Sequence, residues 1–255
     1  MKQVLRGAPL VAVALMLVAA APAFANSNVA LVSVGHGIPG GDVSPDLDAS
    51  LPVDVIVDGG CLLQDFRFGD FAGPLELPPG TYEVSVAISD GDPLLCEGDV
   101  VIGPASLPFE AGDNATIFAH LTASGDLTAS VFDNDVSNVI AGKTRLTVRH
   151  TAWAPAVDIA LNRGWMRGRL IGKIEGLENP DEAGPLDLRP GSYAVTIFPA
   201  GTFDPVFQVQ PFVTNPGVSQ IVYAVGSLTN ETFTLLVQSF DLGFTPPRRD
   251  GPRGR

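Results

Sequence analysis

Residues 74–86 read PLELPPGTYEVSV, and residues 185–197 read PLDLRPGSYAVTI. Both stretches keep the order Pro, Leu, acid, Leu, any residue, Pro, Gly, hydroxyl, Tyr. The Pro-Gly pairs that end at Gly80 and Gly191 are typical of tight turns, because Pro fixes φ and Gly tolerates positive φ. Apolar and polar residues alternate after each turn, which indicates a half-buried strand. The pattern predicts two β-hairpins, each with a tyrosine that packs in the core and places its hydroxyl at the rim, Tyr82 and Tyr193.

The rest of the chain repeats around these two stretches. PVDVIV, which begins at Pro52, matches PAVDIAL, which begins at Pro155. The spacing between matching residues of the two copies changes twice, and we expect extra residues within 37–50 of the first copy and within 168–184 of the second. Ile117 and Ile221 have the same spacing as the matched Val-Asp pairs.

The composition favours short strands over helices. The chain has 28 Gly and 22 Pro, and no long segment shows a 3.6-residue apolar period. We therefore predict an all-β protein of two tandem antiparallel β-sandwiches, immunoglobulin-like or transthyretin-like. The expected boundaries are residues 26–135 for the first repeat, 136–142 for a linker, 143–243 for the second repeat and 244–255 for a disordered basic tail.

The N-terminus has the pattern of a secretory signal peptide. Lys2 and Arg6 precede the apolar run VAVALMLVAA, and Ala23-Phe24-Ala25 is a small-residue cleavage site. We predict cleavage after Ala25, a secreted, extracellular mature protein and no membrane span after cleavage.

The formal net charge of −13 excludes most nucleic-acid binders, because an acidic surface repels phosphate backbones. The C-terminal PPRRDGPRGR is basic. Disorder is the simpler interpretation of this tail, and attachment to an anionic polymer of the cell envelope is the alternative.

Three strings of the second copy resemble a known family. The strings VRHTAWAPAVDIALN, PGSYAVTI and IVYAVGSL are similar to the secreted bacterial domain of unknown function numbered 4397. The second copy fits the pattern, whereas the first copy has an enlarged loop and only Leu51-Pro52 in place of Ala-Pro-Ala. The resemblance implies two tandem β-sandwich copies at the cell surface or in the medium, and it implies no activity.

The two cysteines, Cys61 and Cys96, both lie in the first copy. An even count in a secreted chain predicts a disulfide. Their counterparts by spacing are Trp165 and Phe207, so we expect inward-facing positions joined by sulfur in one repeat and by ring packing in the other. A catalytic thiol is the lesser alternative, because its sequence neighbours are acidic.

A possible binding loop follows the first strand of each copy. His36 and His150 end these strands, and either ring bonds a loop carbonyl or faces a ligand. Carboxylates crowd the enlarged loop, where calcium binding is an alternative to solvation, but their spacing is not that of an EF-hand. The candidates are His36, Asp42, Asp46, Asp48, His150 and Trp153. We predict no metal and no cofactor.

Sequence motifs of catalysis are absent, including G-x-S-x-G, H-E-x-x-H and the Walker loop. The prediction is a protein that is not an enzyme: a binding or structural module of the cell envelope, with an envelope polymer or a surface protein as partner. Two alternatives stay open. One is a carbohydrate-active hydrolase that uses facing loop carboxylates, and the other is a calcium-stabilised adhesion module.

Overall fold

The structure is a computed structural model that describes residues 28–91, 96–165 and 168–245. The predicted signal peptide, residues 1–25, lies outside the described residues, as does the basic tail from residue 246. In the described ranges no helix is both long and apolar enough to cross a bilayer.

Short strands account for nearly all the regular structure. The first repeat and the linker contain β1 (Ala30–His36), α1 (Gly40–Val43), β2 (Val53–Val57), β3 (Gly60–Phe66), β4 (Phe71–Leu77), β5 (Gly80–Ile88), β6 (Val100–Phe109), β7 (Asn114–Leu121), β8 (Leu127–Asp133) and β9 (Val139–Ile140). The second repeat contains β10 (Thr144–His150), β11 (Val157–Arg163), β12 (Arg169–Leu177), β13 (Glu182–Leu188), β14 (Gly191–Pro199), β15 (Phe207–Thr214), β16 (Val218–Val225), β17 (Thr234–Asp241) and β18 (Phe244–Thr245).

Four sheets build two sandwiches of the same topology. Strands β4-β1-β7-β8 and β3-β2-β5-β6 form the first, and β13-β10-β16-β17 and β12-β11-β14-β15 form the second. Apolar residues of both sheets meet in one core, as Val32 and Val53 do in the first sandwich. The predicted all-β fold with two tandem sandwiches is confirmed. Each sandwich also contains one parallel pair, β1 with β7 and β10 with β16, which the antiparallel prediction did not anticipate.

The repeated stretch is not a hairpin, and that prediction is wrong. Strand β4 pairs with β1, whereas β5 pairs with β2 and β6, so the Pro-Gly turn carries the chain from one sheet to the other. The tyrosine after the turn bonds back across this corner: the Tyr82 hydroxyl donates to the Pro78 carbonyl at 2.7 Å, and Tyr193 donates to Arg189. This geometry is a tyrosine corner, which fixes a turn between sheets that no backbone ladder holds.

The repeated Val-Asp pair stabilises a bulge in each sandwich. The pairing of β2 with β3 shifts between Val53 and Val55, and the pairing of β11 with β12 shifts at the equivalent place. The buried carboxylate beside each shift accepts a backbone N–H of the neighbouring strand, Asp54 from Asp65 at 3.0 Å and Asp158 from Gly176 at 2.9 Å. A side-chain acceptor thus replaces the ladder bond that the bulge removes.

The expected match of Ile117 with Ile221 is one residue out of register. His36 pairs with Ala119 and His150 with Ala224, so Phe118 is the true counterpart of Tyr223. A shift of one residue moves a side chain to the opposite face of its sheet. Accordingly, Ile117 lies in the core of the first sandwich and Ile221 lies between the two sandwiches.

The two sandwiches pack against each other through the outer faces of the sheets that contain β7 and β16. The rings of Phe118 and Tyr223 stack with centroids 4.1 Å apart, and Phe71 lies 5.5 Å from Tyr223. The buried cluster between the sandwiches comprises Phe118, Phe132, Val139, Ile221, Tyr223, Val225, Phe240 and Leu242. Burial of the outer as well as the inner faces makes the molecule a stack of four sheets.

Candidate functional site

Both candidate histidines are buried at the ends of their strands, beneath the loops that follow. His36 and His150 are each 1% exposed. Nε2 of His36 donates to the Leu51 carbonyl at 2.8 Å, and Nδ1 accepts from the Ile38 N–H at 3.3 Å. The ring of His150 makes the same two bonds, to the Pro155 carbonyl and from the Ala152 N–H. Of the two alternatives for these rings, the structure therefore has the loop carbonyl, and neither ring is exposed to solvent.

Burial lowers the pKa of His36 and of His150 below 6.5, while the carbonyl bond and a nearby Asp oppose the change. Burial likewise lowers the pKa of His120, which bonds the Leu121 carbonyl and Ser130. In the neutral rings of His36 and His150 one nitrogen donates and the other accepts, and protonation would remove the acceptor. All three histidines thus hold loops and strands together as neutral groups.

The enlarged loop of the first repeat reaches the second sandwich. Its extra residues lie between β1 and β2, as expected. The Asp42 carboxylate accepts hydrogen bonds from the Thr232 hydroxyl at 2.7 and 2.8 Å and from the Asn230 amide at 3.0 Å. This predicted ligand-binding carboxylate therefore connects the two sandwiches.

Trp153 and Asn179 make the reciprocal contacts from the second repeat. The half-buried indole of Trp153 packs against the first core and lies over Gly125, where a Cβ atom would meet the ring at 2.6 Å. The Asn179 amide donates to the Leu121 carbonyl at 2.8 Å and to the Ala152 carbonyl at 2.7 Å. Trp153 is thus also an interface residue.

The remaining acidic candidates do not converge. Asp48 accepts bonds from the backbone N–H and hydroxyl of Ser50, which lower the pKa of its carboxyl, and Asp46 lies in the exposed part of the loop. Over the ranges 28–91, 96–165 and 168–245, no group of three His, Cys, Asp or Glu side chains is placed to hold a metal ion. The calcium alternative therefore gains no geometric support.

A cavity lies between the two sheets of each sandwich, about 110 Å³ in the first and about 80 Å³ in the second. Aliphatic and aromatic side chains form nearly all of the walls, together with His36 in one and His150 in the other. Neither wall contains an Asp or Glu, whereas glycoside hydrolysis needs two facing carboxylates.

Arg149 makes hydrogen bonds to both sandwiches, and its side chain is fully buried. Its guanidinium donates to Glu182 at 2.8 Å, to the Tyr223 hydroxyl at 2.6 Å and to the Asp133 carbonyl at 2.8 Å. It also donates to the Asn134 side chain and lies 4.5 Å over the Phe132 ring. One arginine of the second repeat thus satisfies acceptors of both repeats.

The sequence around Arg149 does not mark it as a buried residue. In RLTVRH, Arg145, Thr147 and Arg149 alternate with apolar residues, which is the ordinary pattern of a strand with one solvated face. Phe118 in β7 and Tyr223 in β16 could have indicated that this face is buried. Each places an aromatic ring on the outer face of its sheet, where a solvated strand would have a polar residue.

Cys61 and Cys96 form a disulfide with Cα atoms 5.6 Å apart. Their expected counterparts do not pair. Trp165 is 72% exposed, and Phe207 packs edge-on against Phe233 with centroids 4.6 Å apart. The predicted inward position also fails for Cys61, which is exposed.

The hairpin between β11 and β12 explains the failure. Val53 pairs with Phe66 in the first sandwich, and its counterpart Val157 pairs with Leu177 in the second. The extra residues of the second repeat therefore lengthen this hairpin around its turn. They lie nearer the N-terminus than most of the expected range 168–184. Spacing counted through the insertion had assigned Trp165, at the turn, to a position inside the sandwich.

Sequence comparison identifies the family. The profile described as Domain of unknown function (DUF4397) matches residues 30–160, just over half of the chain. The chain belongs to the DUF4397 family. The matched segment covers β1 to β10 and the first part of β11, so it includes the His36 and His150 loops and crosses from one sandwich into the other. No curated protein sequence matches the chain.

Comparison with solved structures gives distant similarities. The Bacillus anthracis TIE protein is 13% identical over 84% of this chain and 34% of its own, with a TM-score of 0.24. A putative cell adhesion protein from Bacteroides fragilis is 12% identical over 87% of this chain and 100% of its own, with a TM-score of 0.18. The pilus adhesin SpaC from Lactobacillus rhamnosus is 12% identical over 85% of this chain and 31% of its own, with a TM-score of 0.17. The DUF4397 chain thus spans about a third of the TIE protein, and at these TM-scores the similarities carry no conclusion about function.

Proposed function

We propose that this DUF4397 protein is a secreted, non-catalytic module of the cell envelope that works as one rigid body of two sandwiches. The repeats, residues 26–135 and 143–243, would be two tandem copies of the family's domain. The observation that carries the proposal is the use of the polar loop residues: His36, Asp42, His150 and Trp153 all bond within the fold or between the sandwiches. Groups engaged in this way are not available for proton transfer or ligand binding.

Rigidity is supported by the connection between the repeats. The Arg145 guanidinium, in β10, bonds Asp135 at 2.6 Å and the Ser137 carbonyl at 3.0 Å, both next to or in the linker. Val139 is 1% exposed, and β9 pairs with β18. The linker 136–142 is therefore held at Ser137 by Arg145 and at the buried Val139, which restrains hinge motion between the sandwiches.

The extracellular compartment is supported by the disulfide, since such bonds persist in oxidising environments. The partner in this proposal is an envelope polymer or a surface protein. The surfaces left for it are the exposed parts of the loops, since sandwich folds commonly carry recognition there.

The test combines shape with activity. Small-angle scattering of the full mature chain should fit a single compact four-sheet body, and a panel of chromogenic glycosides should give no turnover. A scattering curve that requires two independently moving bodies would contradict the rigid module. Turnover that is lost in Asp46→Asn or Asp48→Asn, with unchanged melting temperature, would establish the hydrolase alternative instead.

A further inference from the structure

The lengthened hairpin of the second sandwich carries an exposed aromatic residue at its turn. Residues 164–168 connect β11 to β12, whereas only residues 58 and 59 connect β2 to β3. Trp165 is 72% exposed in this turn, and Leu170 and Ile171 on the returning strand are 56% and 39% exposed. Three large apolar side chains are thus exposed on one hairpin, and such a grouping is typical of an interaction surface, unlike a single exposed apolar residue.

The same hairpin is basic within an acidic protein. Between Asp158 and Glu175 the sequence contains no acidic residue, and Arg163 and Arg169 are exposed. Lys173 is exposed as well, but its ammonium pairs with Asp158 and Glu175. Arg163 Nη2 donates to the Pro190 carbonyl at 3.5 Å, and Arg189, the residue before Pro190, is exposed as well. The formal net charge of the chain is −13, so this is a local positive surface on a negative molecule.

The C-terminal strand leaves the fold at the same end of the sandwich. Gly191 pairs with Thr214 beside the hairpin, and the following turn bonds Leu242 through the Gly217 carbonyl. Phe244, which pairs with Val139, is 50% exposed, and Ile140, which pairs with Thr245, is 56% exposed. This end therefore combines exposed apolar groups with cationic ones.

We propose that the β11–β12 hairpin docks on the surface of an anionic phospholipid bilayer. The Trp165 indole would lie at the level of the lipid headgroups, where amphipathic aromatic rings are favoured, and Arg163 and Arg169 would contact phosphates. A soluble polyanion would use the arginines alone, and exposed Trp165, Leu170 and Ile171 favour the bilayer over it. The acidic remainder does not prevent docking, because salt screens charges beyond about 8 Å.

This inference is independent of the proposed function, since a rigid non-catalytic module can work with or without a lipid contact. The chain has two tryptophans, so Trp153→Phe leaves Trp165 as a single fluorescent probe. Vesicles of phosphatidylglycerol should shift its emission to the blue, whereas vesicles of phosphatidylcholine should not. An unchanged emission spectrum with phosphatidylglycerol at low salt would overturn the proposal.

Sedimentation with phosphatidylglycerol vesicles then separates the contributions, using the unsubstituted chain as reference. Trp165→Ala, and separately Arg163→Gln with Arg169→Gln, should each weaken binding about tenfold. The matched control is Phe203→Ala, since Phe203 is 90% exposed and follows β14 at the opposite end of the sheet. Its binding should equal that of the reference.

Two results would overturn the lipid assignment. One is equal loss of binding in Phe203→Ala and Trp165→Ala. The other is tight binding to soluble dextran sulfate, lost in the arginine variant and unchanged in Trp165→Ala, with no preference for vesicles, which would assign the hairpin to a polyanionic polymer.

Discussion

The hairpins β2–β3 and β11–β12 occupy the same place in their sandwiches and differ in how they are held. The first turns sharply at Asp58, whose backbone N–H bonds the Glu83 carbonyl, and its strand β3 is covalently joined through Cys61 to Cys96. The second is longer, basic and without cysteine, and it exposes Trp165 at its turn. One topology thus accommodates a stapled edge in one repeat and a projecting surface in the other, because strand pairing near the core leaves hairpin tips unconstrained.

The largest expected effect comes from removing the Cys61–Cys96 disulfide, which is called the staple below. Replacing both cysteines, Cys61→Ser with Cys96→Ser, should lower the free energy of unfolding of the first repeat by about 4 kcal/mol, since the bond closes a loop over a sequence separation of 35. Urea unfolding of the double variant measures this. Hydrogen exchange should show reduced protection of the backbone amides in β3 and β6 and little change in β12 and β15. Equal loss of protection in both repeats would show that the staple stabilises the whole molecule.

Arg149→Met should have the next largest effect, about 3 kcal/mol, because it leaves Glu182 and the acceptors of the first repeat without their donor. Unlike loss of the staple, it should weaken both repeats, since this side chain connects them. Arg163→Met is the matched control on an exposed arginine and should change stability little. If Arg149→Met unfolds with the midpoint of the control, the buried network does not couple the sandwiches.

The paired histidines predict an equal pH response of the two repeats. Burial keeps the pKa of His36 and His150 below 6.5 in the folded protein, so the unfolded chain binds more protons as the pH falls below about 6.5. The free energy of unfolding should then fall by at most about 1.4 kcal/mol per pH unit for each histidine, until the folded-state pKa is passed. Urea titrations from pH 7.5 to 5 measure the slope.

His36→Gln and His150→Gln should each flatten that slope by a similar amount, because the two rings make the same bonds. A flattened slope in only one variant would indicate that the loops differ in energy despite their common geometry.

Trp165→Ala should have the smallest effect on stability, within about 0.5 kcal/mol, since the ring is 72% exposed. Thermal melting with the unsubstituted chain as control tests this. A loss of several kcal/mol would place the ring in a core and restore its equivalence to a cysteine of the first repeat.

Much of the fold was predictable because it depends on local chemistry. Gly80 and Gly191 marked the turns, and period-two alternation marked the strands that follow them. The sequence could not reveal that β4 and β5 belong to different sheets, because a Pro-Gly turn fits both a hairpin and a corner. Only the pairing partners, which are distant in the chain, distinguish the two arrangements.

The candidate site shows the same limit. His36 and Asp42 attract notice in any sequence, yet whether a polar side chain binds a ligand or a neighbouring loop depends on what packs above it. The Ile117–Ile221 match failed for a related reason, since a shift of one residue changes composition little but reverses the face of the sheet. Arg149 was missed because an alternating strand looks the same whether its polar face meets water or another sheet.

By itself the sequence determined the all-β class, the repetition of one sandwich and the cysteine pair, since each follows from short-range patterns of turn, alternation and count. Tertiary structure alone decided that the two outer sheet faces are buried against each other, that the histidines and Asp42 hold loops in place, and that Trp165 is exposed. Burial is the reason for the difference. It depends on surfaces brought together from remote parts of the chain, and no local pattern records which surface will meet water.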